Sequence, residues 1–109
     1  GATIAGASDW AVSSPNPWNA MAQAISREGP LGVLNADERI DRETMLYAYT
    51  LNAARTIGLE KQIGSLSPGK QADFIVLDRD VFSVDNKALH DTQVLQTWFA
   101  GREVYAPTL

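Results

Sequence analysis

Ala2-Thr3-Ile4-Ala5-Gly6-Ala7 runs small and apolar into Ser8-Asp9. A continuous apolar run of this length, closed by polar residues, fits a strand buried on both faces, as in a parallel sheet. Beyond it, Trp10-Ala11-Val12-Ser13-Ser14-Pro15-Asn16-Pro17 reads as a loop from its two prolines and its Ser and Asn content. Asn16-Pro17 marks a helix start, with Asn as the cap and Pro at the first helical position. The spacing of Trp18, Met21, Ala22 and Ile25 predicts a helix over 17–27, stopped before Gly29-Pro30. Residues 29–40 read as a loop. A second helix is predicted over 42–57, with Asp41 as its cap, Glu43 in its first turn, and Leu46, Tyr49, Ala53 and Ile57 as its apolar stripe. Gly58 follows as a left-handed terminator, and Leu59 supplies the apolar contact beyond it.

The second half changes character. Ser67-Pro68-Gly69-Lys70 has Pro and Gly where a type II turn wants them. Ala72 to Leu77 reads as a strand ended by Asp78, and Val94–Phe99 with Arg102–Tyr105 reads as a tight hairpin around Ala100-Gly101. The chain thus divides at residues 58 and 59 into an α/β part and a small β meander with too few strands to close alone.

Composition bounds the chemistry. The 109 residues are 45% hydrophobic, enough for one small domain. Such a chain buries roughly two-thirds of its unfolded surface. Nine Lys+Arg against thirteen Asp+Glu give a net charge of -4 with no basic cluster, which argues against a nucleic-acid partner. No apolar run approaches the roughly 20 residues of a membrane span, and nothing in the chain directs it to a compartment. Cysteine is absent and His90 is the single histidine, which excludes thiolate sites and any self-contained multi-histidine metal centre. The chain opens on Gly1 rather than Met, so the expectation is an internal piece of a longer protein or a processed product.

Asp9 is the leading candidate for chemistry. In parallel α/β architectures catalytic groups collect where a strand ends and a loop begins. A carboxylate there can bind a divalent cation or accept a proton from water. It can equally fix the following turn through its own side chain. Ser8, Ser13, Ser14 and Asn16 stand at the same edge, where turn and cap chemistry competes with ligand contact. A serine nucleophile lacks a base, because His90 is remote in sequence and is expected on a solvated turn or short helix. Trp10, Trp18 and Trp98 are pocket candidates, with ordinary burial the better account of Trp98. Tyr49 belongs to the helix stripe. Asp73 reads as a turn-fixing carboxylate, and Asp78-Arg79-Asp80 as a solvated face with weak pairing.

On these residues the sequence resembles a known family. Gly6-Ala7-Ser8-Asp9-Trp10-Ala11-Val12-Ser13-Ser14-Pro15-Asn16-Pro17 resembles the segment ending the last barrel strand of metal-dependent amidohydrolases, nearest the branch called amidohydrolase family 3. Tyr47 to Arg55 resembles the helix after the barrel, Ile63 to Asp78 the C-terminal signature, and Val94 to Tyr105 the closing hairpin. The resemblance implies the last strand and helices of a (β/α)8 barrel within residues 1–58, and the C-terminal share of a small composite β-sandwich within 59–109. It implies a hydrolase of C–N bonds in small-molecule substrates, using a divalent metal, with zinc expected. Asp9 matches the aspartate that binds the metal and shuttles a proton between attacking water and leaving amine. Trp10, Ser13 and Ser14 are expected to face substrate. The family's metal-binding histidines come from earlier strands and have no match here, so this chain alone is expected to be inactive and metal-free. Ala11 stands where many relatives have proline, which leaves the loop less restrained. A regulatory or binding protein derived from the same fold is the alternative. Unpaired strand edges and apolar helix faces lead to the expectation of a homo-oligomer.

Overall fold

In the computed structural model, which describes residues 1–108, the first helix begins as its sequence dictates. The Asn16 side-chain oxygen accepts the Trp18 N–H at 2.9 Å, and Pro17, which has no N–H to satisfy, opens α1 (Pro17–Ser26). This helix buries Trp18, Met21 and Ala22. It ends at Arg27, held left-handed at φ 58° with its N–H on the Gln23 carbonyl at 2.7 Å. The Arg27 guanidinium then bonds the Leu34 carbonyl and pairs with Glu38 at 3.2 Å. These contacts fold back the expected loop, which contains a short antiparallel ladder, β1 (Glu28–Gly29) with β2 (Gly32–Val33), and a 3-10 turn at Ala36–Glu38.

The single helix expected over 42–57 is two helices, α2 (Arg42–Ala48) and α3 (Leu51–Thr56). At the break, the Thr50 hydroxyl donates to the Leu46 carbonyl at 2.7 Å, and Thr50 leaves helical dihedrals at φ -126°, ψ -97°. A threonine bonding back to the preceding turn competes with the helix ladder and bends it. Met45, Ala48 and Ala54 are buried rather than the expected stripe, and Ile57, beyond the break, is exposed. Both ends follow the sequence. Asp41 accepts the Thr44 N–H and hydroxyl, and Gly58 at φ 71° lets the Leu59 N–H reach the Ala54 carbonyl at 2.9 Å.

The second half forms β3 (Phe74–Leu77), α4 (Asn86–His90), β4 (Val94–Phe99) and β5 (Arg102–Tyr105), with strands in the order β3-β4-β5, all antiparallel. Gly69 at φ 87° and a Lys70 N–H to Ser67 carbonyl bond of 3.1 Å form the expected turn before β3. Phe74 lies opposite Trp98 with their rings stacked 5.5 Å apart. Asp73 does fix a turn, but the one it holds is the distant hairpin at Ala100-Gly101, whose Ala100 N–H it accepts at 2.7 Å, and not the Pro68-Gly69 turn it follows.

A further expectation gives way. Residues 2–7 form no strand and are mostly exposed; the described residues hold a two-stranded and a three-stranded sheet, both antiparallel, in a mixed α/β arrangement. A buried parallel strand needs strands beside it to take its backbone hydrogen bonds, and none is present among the described residues. Asp78 and Asp80 are solvated as expected, but the run is tied to the backbone by specific hydrogen bonds. Asp78 takes the Arg79 Nε–H at 2.8 Å and the Gln93 N–H at 3.0 Å, while Arg79 Nη1 donates to the Ala88 carbonyl at 2.9 Å. Asp80 accepts the Phe82 N–H at 2.9 Å. The Arg79 hydrogen bond, then the Gln93 N–H, hold the Asp78 carboxyl down at a pKa of about 2.

Trp18 and Met21 of α1, Met45 of α2, Val81 and Leu89 form the buried cluster, so the core draws on both halves of the chain. Arg42 donates to the Val81 and Val84 carbonyls at 2.8 and 2.6 Å, fastening α2 to the segment before α4. No helix among the described residues is long and apolar enough to cross a membrane.

Candidate functional site

The segment that carries Asp9 is pinned rather than woven into a sheet. The Gly6 N–H donates to the Ala48 carbonyl at the end of α2 at 2.9 Å, and the Asn52 amide of α3 donates to the Ile4 carbonyl at 3.1 Å. Gly6 lies directly on the Tyr49 ring, where an added Cβ would stand only 2.5 Å from Cε2. Close approach, not a special dihedral, requires glycine here.

Three residues on, the chain turns at Asp9 with φ 49°. The Trp10 N–H donates to Ser8 Oγ at 3.2 Å, the Val12 N–H to the Asp9 carbonyl at 3.1 Å, and the Ser13 hydroxyl to the Ser8 carbonyl at 2.8 Å. Ser14 Oγ accepts the Asn16 N–H at 3.2 Å and joins the turn to the cap of α1. These bonds satisfy backbone groups, and the exposed Asp9 carboxylate takes no hydrogen bond among the described residues. Asp9 therefore does not fix its turn through its side chain; the serines do.

Asp9, Trp10, Ser13 and Ser14 share one exposed turn, with Trp10 71% exposed. The other tryptophans are elsewhere, Trp18 in the core and Trp98 stacked in the sheet. His90 ends α4, exposed, with Nδ1 3.2 Å from Asp91 Oδ1. The chemistry of an open carboxylate suits one ligand position of a metal centre, which takes three or four protein ligands in all. Among the described residues no group of three or more His, Asp or Glu could hold a metal ion.

A shallow groove of about 470 Å³ lies between α1 and α4, and nothing in the sequence pattern marks it. Asn19 and Gln23 face Asn86, Lys87 and His90 across it, and the Asn86 amide donates to the Ala22 carbonyl at 3.0 Å. Its two walls lie some sixty residues apart in the chain, and no local pattern announces such a meeting. The role of Gly6 is equally hidden in the sequence, because it depends on a contact with Tyr49 rather than on spacing.

The turn at Asp9, the pinned segment before it and the C-terminal meander fall within one family. Residues 1–105 match the model of the amidohydrolase family, and the chain belongs to it. It is 38% identical to Protein LONG AFTER FAR-RED 3 of Arabidopsis thaliana, over 95% of this chain and 18% of that protein. It is 34% identical to the N-substituted formamide deformylase of Arthrobacter pascens, over 93% of this chain and 19% of the enzyme. Among solved structures, an amidohydrolase from Thermotoga maritima MSB8 aligns with a TM-score of 0.58 and 28% identity, over 81% of this chain and 19% of that one. The chain thus spans about one-fifth of the length of the proteins it matches.

Proposed function

We propose that this chain is the C-terminal portion of a metal-dependent hydrolase acting on non-peptide C–N bonds. Residues 1–58 complete the end of its (β/α)8 barrel, and residues 59–109 supply strands of a small composite β-sandwich. The observation that carries the reading is the Asp9 turn: a carboxylate on a left-handed residue, open to solvent and not consumed by the turn, at the end of a segment pinned to two helices. Asp9 serves there as one ligand of a divalent metal, zinc by preference, with the other ligands supplied from outside these residues. The bound metal supplies Lewis acidity toward the scissile group. Asp9 accepts the proton of the attacking water and delivers it to the departing amine, while Trp10, Ser13 and Ser14 flank a small-molecule substrate. The partners are such a substrate and a second copy of the protein, with neither nucleic acid nor membrane. The fragment alone is inactive.

The test is Asp9→Asn in the complete protein. The amide keeps the shape but cannot accept the proton, so turnover should fall about 10²- to 10⁴-fold with folding retained. Near-normal turnover would overturn the reading. A second reading, a regulatory protein on the same fold, draws on the plant relative of 38% identity, whose name states no reaction.

A further inference from the structure

Asp9 hangs between two anchors. On one side Gly6 is bonded to Ala48 and laid on Tyr49; on the other Asn16 caps α1, whose Trp18 is in the core. The loop between them is drawn together by the Ser13 hydroxyl, which crosses five residues to the Ser8 carbonyl at 2.8 Å. Ser8 holds the other side through the Trp10 N–H, and the Asp9 carbonyl accepts from Val12. All three bonds constrain the backbone flanking Asp9, and none uses its carboxylate. Positive φ is uncommon for residues with a Cβ, though aspartate tolerates it better than most, and bonds that hold the chain on both sides favour it here.

We infer that Ser13 is a positioning residue for Asp9: its bond to the Ser8 carbonyl holds Asp9 left-handed and so aims its carboxylate out of the turn. This rests on the role proposed above for Asp9, and it makes Ser13 a support of the carboxylate in addition to any contact with substrate. A serine reaching backwards over the loop fixes the direction of a side chain it never touches.

Backbone and Cβ chemical shifts of Asp9, measured by NMR on the isotopically labelled complete protein, report its backbone dihedrals. Ser13→Ala is expected to abolish the left-handed signature at Asp9 while shifts throughout α2 and the β3-β4-β5 sheet stay in place. Ser13→Thr, which keeps the hydroxyl, should retain it. Ser8→Ala removes the Trp10 bond by a separate route and should weaken the same signature. Unchanged Asp9 shifts in Ser13→Ala would overturn the inference. The kinetics of Asp9→Asn judge the role of Asp9 and these spectra judge Ser13, so either can fail alone.

Discussion

Gly6 shows how little room one residue leaves. An alanine there would place its Cβ 2.5 to 2.8 Å from three Tyr49 ring atoms, and Tyr49 is itself packed against the core cluster. Either the ring or the segment must move, and overpacking of this kind costs about 1–3 kcal/mol. Gly6→Ala is expected to lose that much stability in urea unfolding, and to cost less when introduced into a Tyr49→Ala chain, where the ring it collides with is gone. Asp78 carries a different signal. Its carboxyl is held at about 2 in the folded chain, against about 4 for an unperturbed aspartate. A depressed folded value means the contribution is complete above pH 4 and drains away as pH falls toward 2. Asp78→Asn should therefore lower the melting midpoint at pH 7 and flatten its decline between pH 4 and 2. An unchanged acid limb would show that the Arg79 and Gln93 bonds contribute nothing to folding.

At the scale of elements, α4 is the most dependent piece. Five residues are too few for a helix to persist alone. Asp85 caps it by accepting the Ala88 N–H at 2.7 Å, and Leu89, fully buried, fixes it in the core cluster. Leu89→Ala should cost about 2–5 kcal/mol in urea unfolding. A cost below that range would mean that the site collapses around the smaller side chain. The same elements explain what the sequence discloses. Caps and turns are local chemistry, so Asn16-Pro17, Asp41, Gly58, Pro68-Gly69 and the Ala100-Gly101 hairpin are all legible in the residues themselves. The break at Thr50 is not, because the 42–57 pattern is continuous and a back-bonding hydroxyl leaves no mark in periodicity. Residues 2–7 read as a buried strand from their apolarity, but a strand is a relation between segments, and its partners must be present. Asp9 is legible as a position of interest, whereas the serines that hold it are legible only as turn formers.

The whole molecule is looser than its length requires. Its Cα radius of gyration is 14.9 Å, against roughly 13 Å for a close-packed chain of this size. Leu31, Val12, Leu66, Trp10 and Phe82 are exposed, more than the small buried cluster has room to cover. The sheet ends in β5, whose residues are exposed and whose outer edge is unpaired among the described residues. An open edge of N–H and C=O groups invites pairing with another chain, and apolar surface beside it favours association. The opposing charge of -4 acts only over about 8–10 Å at physiological salt. A single open carboxylate, by contrast, gives the chain no means of holding zinc tightly, so calorimetric titration should reveal no stoichiometric site and association should proceed without metal. Light scattering across a dilution series, in the presence of a chelator, is therefore expected to show a dimer or higher oligomer that dissociates on dilution. Val104→Lys, which sets a charge on β5, should shift that equilibrium toward monomer. A cooperatively unfolding monomer at every concentration would mean that the exposed edge and apolar surface are tolerated in water, and would defeat the proposal of self-association.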